Sequence, residues 1–197
     1  MSEDINQNNV KKMESEYSDS ILSNVAKTVG YYSNIGWKTV KITLNIEPKP
    51  SQRPRLSGYR IYVPGAAKHT AFFNREVFPT LGNLWIDKPC KVIMDVYVKT
   101  PDSFSKSQKL LAELKILRPW THTGDIDNFT KSYLDMIQGN KKRGHKGIMS
   151  DDCLVIESIS NKYYSVSPRV ELVIKYMGSV PKVIKNVLKI HDIPRPN

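Results

Sequence analysis

The chain has 197 residues, of which 40% are hydrophobic and 25% are charged, and its formal net charge is +11. This balance is typical of a globular domain with a buried core and excludes a chain that is disordered throughout. The positive charge favours a polyanionic partner. No apolar run approaches the roughly 20 residues that a membrane-spanning helix needs, so no membrane partner is expected.

The cysteine content and the N-terminus indicate the compartment. The chain has two cysteines, Cys90 and Cys153, which lie far apart in the sequence. This usage argues against a zinc site and is typical of a protein in a reducing compartment. The opening stretch MSEDINQNNVKKMESEY has no apolar segment after a basic cluster, unlike a secretory signal. A cytoplasmic location is therefore expected.

Charge and polarity divide the chain into an arm, a folded domain and a tail. The first 23 residues contain five acids and two lysines, and they lack periodicity. We therefore expect residues 1–30 to form a flexible acidic arm and residues 38–177 to form the folded domain. Residues 178–197 form a basic tail, in which KVIKNVLKI is predicted to be a short amphipathic helix.

Strand and helix patterns alternate along the domain. Apolar residues at period two or at helical spacing predict, in chain order, a strand in KTVKITLNIEP, a strand in SGYRIYVPG, a helix in AKHTAFFNREVF, a strand in KPCKVIMDVYVKTP, a helix in SKSQKLLAELKIL, a helix in DIDNFTKSYLDMIQ, and strands in CLVIESISNKYY and PRVELVIKYM. This mixed order predicts a single α/β (α+β) domain, with helices packed on a mixed β-sheet.

Two aspartates and a lysine open the third predicted helix, in GDIDNFTKSYLDMIQGN. In an extended GDID segment, Asp125 and Asp127 point to the same side, with α-carbons about 7 Å apart. Lys131 follows one turn later on the same face. Converging carboxylates offer the hard oxygen ligands that magnesium prefers, and a lysine beside them can contact a phosphate oxygen. A second acidic pair, Asp151–Asp152, leads into the next strand.

Each of these acids also has a simpler interpretation. Asp127 suits a helix cap, Lys131 can pair with Asp127 and Asp135 four residues away, and Asp151–Asp152 suits a solvated turn. The combination favours a functional site, because acids at the ends of two elements of a rigid scaffold are typical of one. A basic protein can present carboxylates to a polyanion once a metal neutralises them.

The segments DIDNFTKSYLDMI and GIMSDDCLVIESISNKYY together resemble the RusA family of Holliday-junction resolvases, and KPSQRPRLSGYRIYVP resembles the N-terminal signature of that family. The resemblance extends over about residues 38–177. It implies a RusA-like fold and a homodimeric crossover junction endodeoxyribonuclease that acts on branched DNA with magnesium or manganese. The location that it implies is the cytoplasm of a bacterium or a phage-infected host. The chain departs from the family where Gly124 replaces a frequent proline.

The resemblance also implies the roles of individual residues. The metal-binding carboxylates are Asp125, Asp127 and Asp152, with Asp151 as a weaker candidate. Lys131 matches the catalytic lysine of the family, and Asp125, Asp127 and Asp152 complete the catalytic set. For Asp135 we prefer a simple pairing with Lys131.

Basic residues on either side of the acids are candidates for DNA contact. Arg53 and Arg55 flank Pro54, which stiffens the backbone, and arginine suits bidentate phosphate contact; plain surface charge is the alternative. The loop GNKKRGHKG contributes a further basic group: Lys141, Lys142, Arg143 and Lys146. We interpret this group as a clamp on the DNA backbone, with a solvated loop as the alternative.

The leading hypothesis is a magnesium-dependent, structure-selective endodeoxyribonuclease that resolves Holliday junctions by paired symmetric nicking. Paired incisions need two active sites related by two-fold symmetry, which is consistent with a homodimer. Two alternatives remain. The first is a non-catalytic protein that binds junctions or other DNA, and the second is a metal-dependent nuclease that acts on forks or flaps.

Overall fold

The computed structural model describes residues 18–34, 37–52, 55–57, 59–62, 66–138 and 146–193. The elements, in chain order, are α1 (Asp19–Asn34), β1 (Lys38–Leu44), β2 (Arg55–Ser57), β3 (Arg60–Tyr62), α2 (Ala66–Phe72), a π-helical turn (Phe73–Val77), a 3-10 turn (Phe78–Leu81), β4 (Cys90–Lys99), α3 (Lys106–Glu113), α4 (Ile126–Gln138), a 3-10 turn (Asp152–Leu154), β5 (Val155–Ser165), β6 (Arg169–Tyr176) and α5 (Lys182–Leu188).

The chain forms two compact units. The smaller unit comprises Met1–Trp37 and Gly178–His191, and the larger comprises Lys38–Met177 and Asp192–Asn197. Within the described residues, no helix is both long enough and apolar enough to cross a bilayer.

A mixed four-stranded sheet forms the centre of the larger unit. The strand order is β1-β6-β4-β5, in which β6 pairs antiparallel with both β1 and β4, and β4 pairs parallel with β5. The chain between the two parallel strands contains α3 and α4. The short strands β2 and β3 form a separate antiparallel pair. The predicted α+β domain with helices and a mixed sheet is confirmed.

One face of the sheet carries the core. Every second residue of β4 points into it, and all five of these side chains are buried: Cys90, Val92, Met94, Val96 and Val98. The inward residues of β6 and β1 are buried as well: Val170, Leu172, Ile174, Ile42 and Leu44. Because side chains alternate across a strand, the period-two pattern in the sequence identified this face correctly.

Helix α4 packs on the core through its apolar side. Phe129, Tyr133, Met136 and Ile137 are buried. A hydrogen bond of 2.9 Å joins the hydroxyls of Thr130 on α4 and Ser160 on β5. Polar residues of the helix, which include the predicted site residues, lie on its opposite side.

Helix α3 is shorter than its leucine pattern predicts. It starts with a capping box between Ser105 and Gln108 and ends at Glu113, and Lys115 then takes a positive φ of 60°. Ala112 is its buried residue, whereas Leu110 and Leu114 are 62% and 59% exposed. The leucine spacing thus correctly indicated a helix, but most of the leucines do not face the core.

The smaller unit contains α1 and α5, which contact each other. Thr28 and Ile184 are buried, and the Tyr31 hydroxyl donates a hydrogen bond of 2.9 Å to the Ser179 carbonyl. The predicted helix in the tail is confirmed as α5. Helix α1 begins within the segment 1–30 assigned to a flexible arm, so residues 19–30 of that segment are helical, whereas residues 1–17 lie outside the described part.

The last described residues belong to the larger unit. The Trp85 indole donates a hydrogen bond of 2.8 Å to the Ile193 carbonyl. The Lys88 ammonium pairs with Asp87 at 2.7 Å and with Asp192 at 3.1 Å. The segment predicted as one basic tail therefore contributes to both units.

Candidate active site

The first acidic element lies at the start of α4. The Asp125 carbonyl accepts a hydrogen bond of 3.2 Å from the Phe129 amide, so Asp125 directly precedes the helix. Asp127 lies inside the first turn and is not the capping residue. Both side chains are exposed. Carboxylates are favoured at this position because the N-terminal end of a helix carries partial positive charge.

A tight turn sets the direction in which the chain enters α4. Gly124 has φ +84°, and a β-carbon at this position would lie 2.7 Å from Pro50 Cγ. Nearby, the Ser51 amide donates a hydrogen bond of 2.9 Å to the Asn128 carbonyl. A proline cannot replace Gly124 in this conformation, because its ring fixes φ near −65°. The departure from the frequent proline of the family thus has a local structural reason.

The charged residues of α4 form a row on its exposed side. Asp127, Lys131 and Asp135 follow one another at intervals of four residues, and all three are exposed. Burial raises the pKa of Asp135, the Asp152 carboxylate raises it further, and the Lys131 ammonium opposes them. Asp135 therefore interacts electrostatically with Asp152 as well as with Lys131, an interaction beyond the simple pairing that the sequence suggested.

The second acidic element is the 3-10 turn before β5, which contacts α4. Asp151 caps this turn, since its Oδ1 accepts a hydrogen bond of 2.9 Å from the Cys153 amide. Hydrogen bonds from the Cys153 thiol and amide hold the pKa of Asp151 below its usual range. Asp152 begins the turn with its side chain exposed. The two neighbouring acids therefore have different surroundings.

The candidate ligands match magnesium in their chemistry, since they are exposed carboxylates. Nevertheless, in the described part of the chain no three His, Cys, Asp or Glu side chains lie close enough together to hold a metal ion. Asp127 and Asp135 are separated by about 12 Å along the axis of α4, and Asp152 interacts with Asp135, in the C-terminal half of the helix. For Asp125, Asp127 and Asp152 to bind one ion together, their side chains therefore have to move toward one another. Their convergence stays a prediction.

The comparison with protein families covers both acidic elements. The model of the family described as endodeoxyribonuclease RusA matches residues 45–175, which include every predicted carboxylate and Lys131. The chain belongs to the RusA endodeoxyribonuclease family. It is also similar to the "Uncharacterized protein YqaN" of Bacillus subtilis (strain 168), with 30% identity over 148 residues that cover 71% of this chain and 98% of that protein.

Membership of the RusA family makes this protein an endonuclease, a hydrolase of DNA. RusA-family proteins act on branched DNA and generally depend on a divalent metal. The predicted family, and with it the predicted class of enzyme, is confirmed.

The predicted DNA-contact residues are described only in part. Arg53, Lys141, Lys142 and Arg143 lie outside the described residues, and of Arg55 only its place in β2 is described. The Lys146 ammonium lies 5.4 Å from the centre of the Phe78 ring. The backbone amide of Lys146 donates a hydrogen bond of 3.3 Å to the side-chain oxygen of Asn74. DNA contact by all of these residues stays a prediction.

One lysine near the acids has no counterpart among the predicted residues. Lys162 on β5 donates hydrogen bonds to the Gly124 carbonyl at 2.7 Å and to the Thr123 hydroxyl at 3.4 Å. In the sequence it is one lysine in a strand pattern, ten residues after Asp152. Nothing in that pattern indicates a contact with the turn before Asp125.

Proposed function

We propose that this RusA-family protein is a magnesium-dependent homodimeric endonuclease that resolves Holliday junctions by paired symmetric nicking. The observation that carries this proposal is the position of the two acidic elements. Helix α4 and the turn before β5 contact each other, and both lie inside the region that matches the family. Between them, Lys131 adds a cation on the same exposed helix side.

The carboxylates are the residues that would hold the ion. Asp125, Asp127 and Asp152 present exposed oxygens, and we assign the ligand role to these three. Asp151 is the weaker ligand candidate because one of its oxygens already accepts a backbone hydrogen bond. When bound, magnesium polarises a phosphate and lowers the pKa of a bound water.

Lys131 is the residue that we assign to the phosphate. Its exposed ammonium lies one helical turn from both Asp127 and Asp135. In this position it can contact a non-bridging oxygen or offset the negative charge that develops on the leaving oxygen. Such a cation is needed because uncompensated carboxylates repel the DNA backbone.

The remaining basic residues would position the substrate. A net charge of +11 attracts DNA regardless of sequence. We assign backbone contacts to Arg53 and Arg55 and to the basic loop that includes Lys146. A homodimer would supply the second active site for the opposite strand, because the two sites must share the two-fold symmetry of the junction.

The test is cleavage of a synthetic four-way junction labelled on each strand in turn, with magnesium and with a chelator. We expect paired symmetric nicks with magnesium and none with the chelator. Asp127→Asn and Asp152→Asn should bind the junction without cutting it. Asp19→Asn, which changes an exposed acid outside the family-matched region, should cut like the wild type.

Three results would contradict the proposal in different ways. Cleavage of forks or flaps without cleavage of junctions would favour a nuclease of another specificity. Binding without cleavage under any divalent ion would favour a non-catalytic DNA-binding protein. Wild-type cleavage by Asp127→Asn would leave the nuclease function intact but move its active site elsewhere.

A further inference from the structure

Lys162 lies where a single side chain can fix the turn before the first acid. It is half-buried on β5, and its ammonium donates a hydrogen bond of 2.7 Å to the Gly124 carbonyl. Gly124 immediately precedes Asp125. A second contact, 3.4 Å to the Thr123 hydroxyl, holds the residue before Gly124. The ammonium therefore holds two successive residues that lead into the acidic motif.

A second set of contacts also confines the same turn. Pro50 packs so closely against Gly124 that a β-carbon there would lie 2.7 Å from its Cγ. The Asn128 carbonyl accepts a hydrogen bond from the Ser51 amide, and the Asn128 side-chain amide lies 3.5 Å from Asp125 Oδ2. Pro50 and Lys162 both contact the turn, which limits its freedom to rotate.

The contacts of Lys162 also set the register of α4 along β5. Ser160 and Lys162 project to the same face of β5 because they are two residues apart. Ser160 bonds to Thr130 inside the helix, and Lys162 bonds to Gly124 before it. Strand β5 itself begins directly after the turn that carries Asp152. The distance between the two acidic elements therefore depends on how α4 is registered on this strand.

Stability alone is a poor explanation for a lysine here. A cation near the N-terminal end of a helix is disfavoured by the helix dipole, and ordering a lysine side chain costs conformational entropy. Among the described residues, no carboxylate lies within ion-pair distance of Lys162. Its charge therefore acts mainly on the backbone of the turn.

We propose that Lys162 is a positioning residue of the active site. By holding the Gly124 carbonyl, it fixes the start of α4 and thereby the directions from which Asp125 and Asp127 approach a divalent ion. This inference rests on the metal site of the proposed function, because it assigns these two aspartates to the ion.

The test compares Lys162→Met, Lys162→Arg and the matched control Lys175→Met, which changes an exposed lysine of β6. Methionine keeps much of the apolar stem but removes the donor and the charge. We expect the dissociation constant for Mn²⁺, measured by calorimetry on the protein without DNA, to rise about tenfold in Lys162→Met, the low end of the effect of losing a residue that orients metal ligands. Lys162→Arg should restore part of the affinity, and Lys175→Met should not change it.

Hydrogen exchange provides a second readout that is independent of metal and of cleavage. The Phe129 amide, which bonds to the Asp125 carbonyl, should exchange faster in Lys162→Met than in the wild type or in Lys175→Met. If Lys162→Met does not fold, Lys162→Gln, which retains a neutral donor, should fold and show a smaller loss of Mn²⁺ affinity with the same exchange pattern.

The possible failures can be told apart. Unchanged Mn²⁺ affinity in folded Lys162 variants would overturn the positioning role, whether or not their melting temperature falls. If the wild type cleaves junctions in the same experiments, the proposed function still stands. A wild type that neither binds Mn²⁺ nor cleaves branched DNA would overturn both. A wild type that binds Mn²⁺ but cleaves no DNA would overturn only the nuclease proposal, and the affinities of the variants would then decide the role of Lys162.

Discussion

The two acidic elements of this RusA-family protein are held in different ways. The start of α4, with Asp125 and Asp127, is confined by residues distant in the sequence, since Pro50 packs against Gly124 and Lys162 bonds to it across 38 positions. The turn with Asp152 has one local hydrogen bond, from the Cys153 amide to Asp151, and one distant hydrogen bond just before it, from the Ser150 amide to the Ile86 carbonyl at 3.0 Å. Changes at Pro50 and Lys162 should therefore disturb the first element more than the second.

The largest expected effect tests whether the two elements act as one site. Asp127→Asn and Asp152→Asn should each lower the rate of junction cleavage by more than about a hundredfold, since loss of even a supporting residue at a metal site costs up to that much. Single-turnover cleavage with saturating protein measures the rates. A wild-type rate for Asp152→Asn alone would remove the turn from the site.

A smaller but still substantial effect is expected at the remotely confined element. Gly124→Ala should lower the free energy of unfolding by about 1–3 kcal/mol, because alanine at φ +84° is strained and its β-carbon meets Pro50. Urea unfolding measures this change, and cleavage should fall with it.

Gly30→Ala is the matched control for this substitution. Gly30 lies inside α1, and, apart from its chain neighbours and the backbone of its own helix, no described atom is within 4 Å of the position that its β-carbon would take. This variant should gain about 0.5–1 kcal/mol from helix propensity. A neutral Gly124→Ala would show that the turn is not confined.

The cap of the turn before β5 should be less sensitive. Asp151→Ala removes the cap of a single 3-10 turn and should lower the free energy of unfolding by about 1 kcal/mol or less. Cleavage should fall less than in Asp152→Asn, and thermal unfolding and single-turnover assays measure the two effects. Equal loss of cleavage in both variants would give Asp151 a full ligand role.

The smallest effect concerns the packing beneath α4. His69 is buried against Tyr133 of α4, with ring centres 5.8 Å apart, and burial lowers its pKa from 6.5. Since the unfolded chain binds this proton more readily than the folded one, stability is fully present above pH 6.5 and is lost as the pH falls toward the folded pKa.

Thermal unfolding between pH 5 and pH 8 measures this dependence. His69→Phe should flatten it, whereas Tyr133→Phe, which retains the stacked ring, should keep it. An unchanged slope in His69→Phe would show that His69 does not carry the effect.

Much of the fold follows from local patterns, and most of the contacts that confine the site do not. The alternation in β4 and the apolar side of α4 identified the core because each records the period of its own element. By contrast, the Gly124–Lys162 hydrogen bond and the Gly124–Pro50 contact join distant segments, and no local pattern indicates them.

The difference between local patterns and long-range contacts also explains why the sequence did not predict α1 or the extent of α3. The hydrogen bond from Tyr31 to Ser179 spans 148 positions, so the partner of α1 could not be inferred from residues 1–30. The leucines of α3 have helical spacing, but spacing does not reveal that the helix ends at Glu113 or which of its sides meets the core. Long-range packing decides both features.

The most direct test of the account is the position of a bound ion. Crystals of the protein soaked in Mn²⁺ should show an anomalous peak about 2.1 Å from carboxylate oxygens of both Asp127 and Asp152, a distance typical of such an ion. Helix α4 should keep its register on β5, with the ammonium of Lys162 still bonded to Gly124. A peak bound by one acidic element alone, or no peak at either, would contradict the claim that the two elements form one metal site.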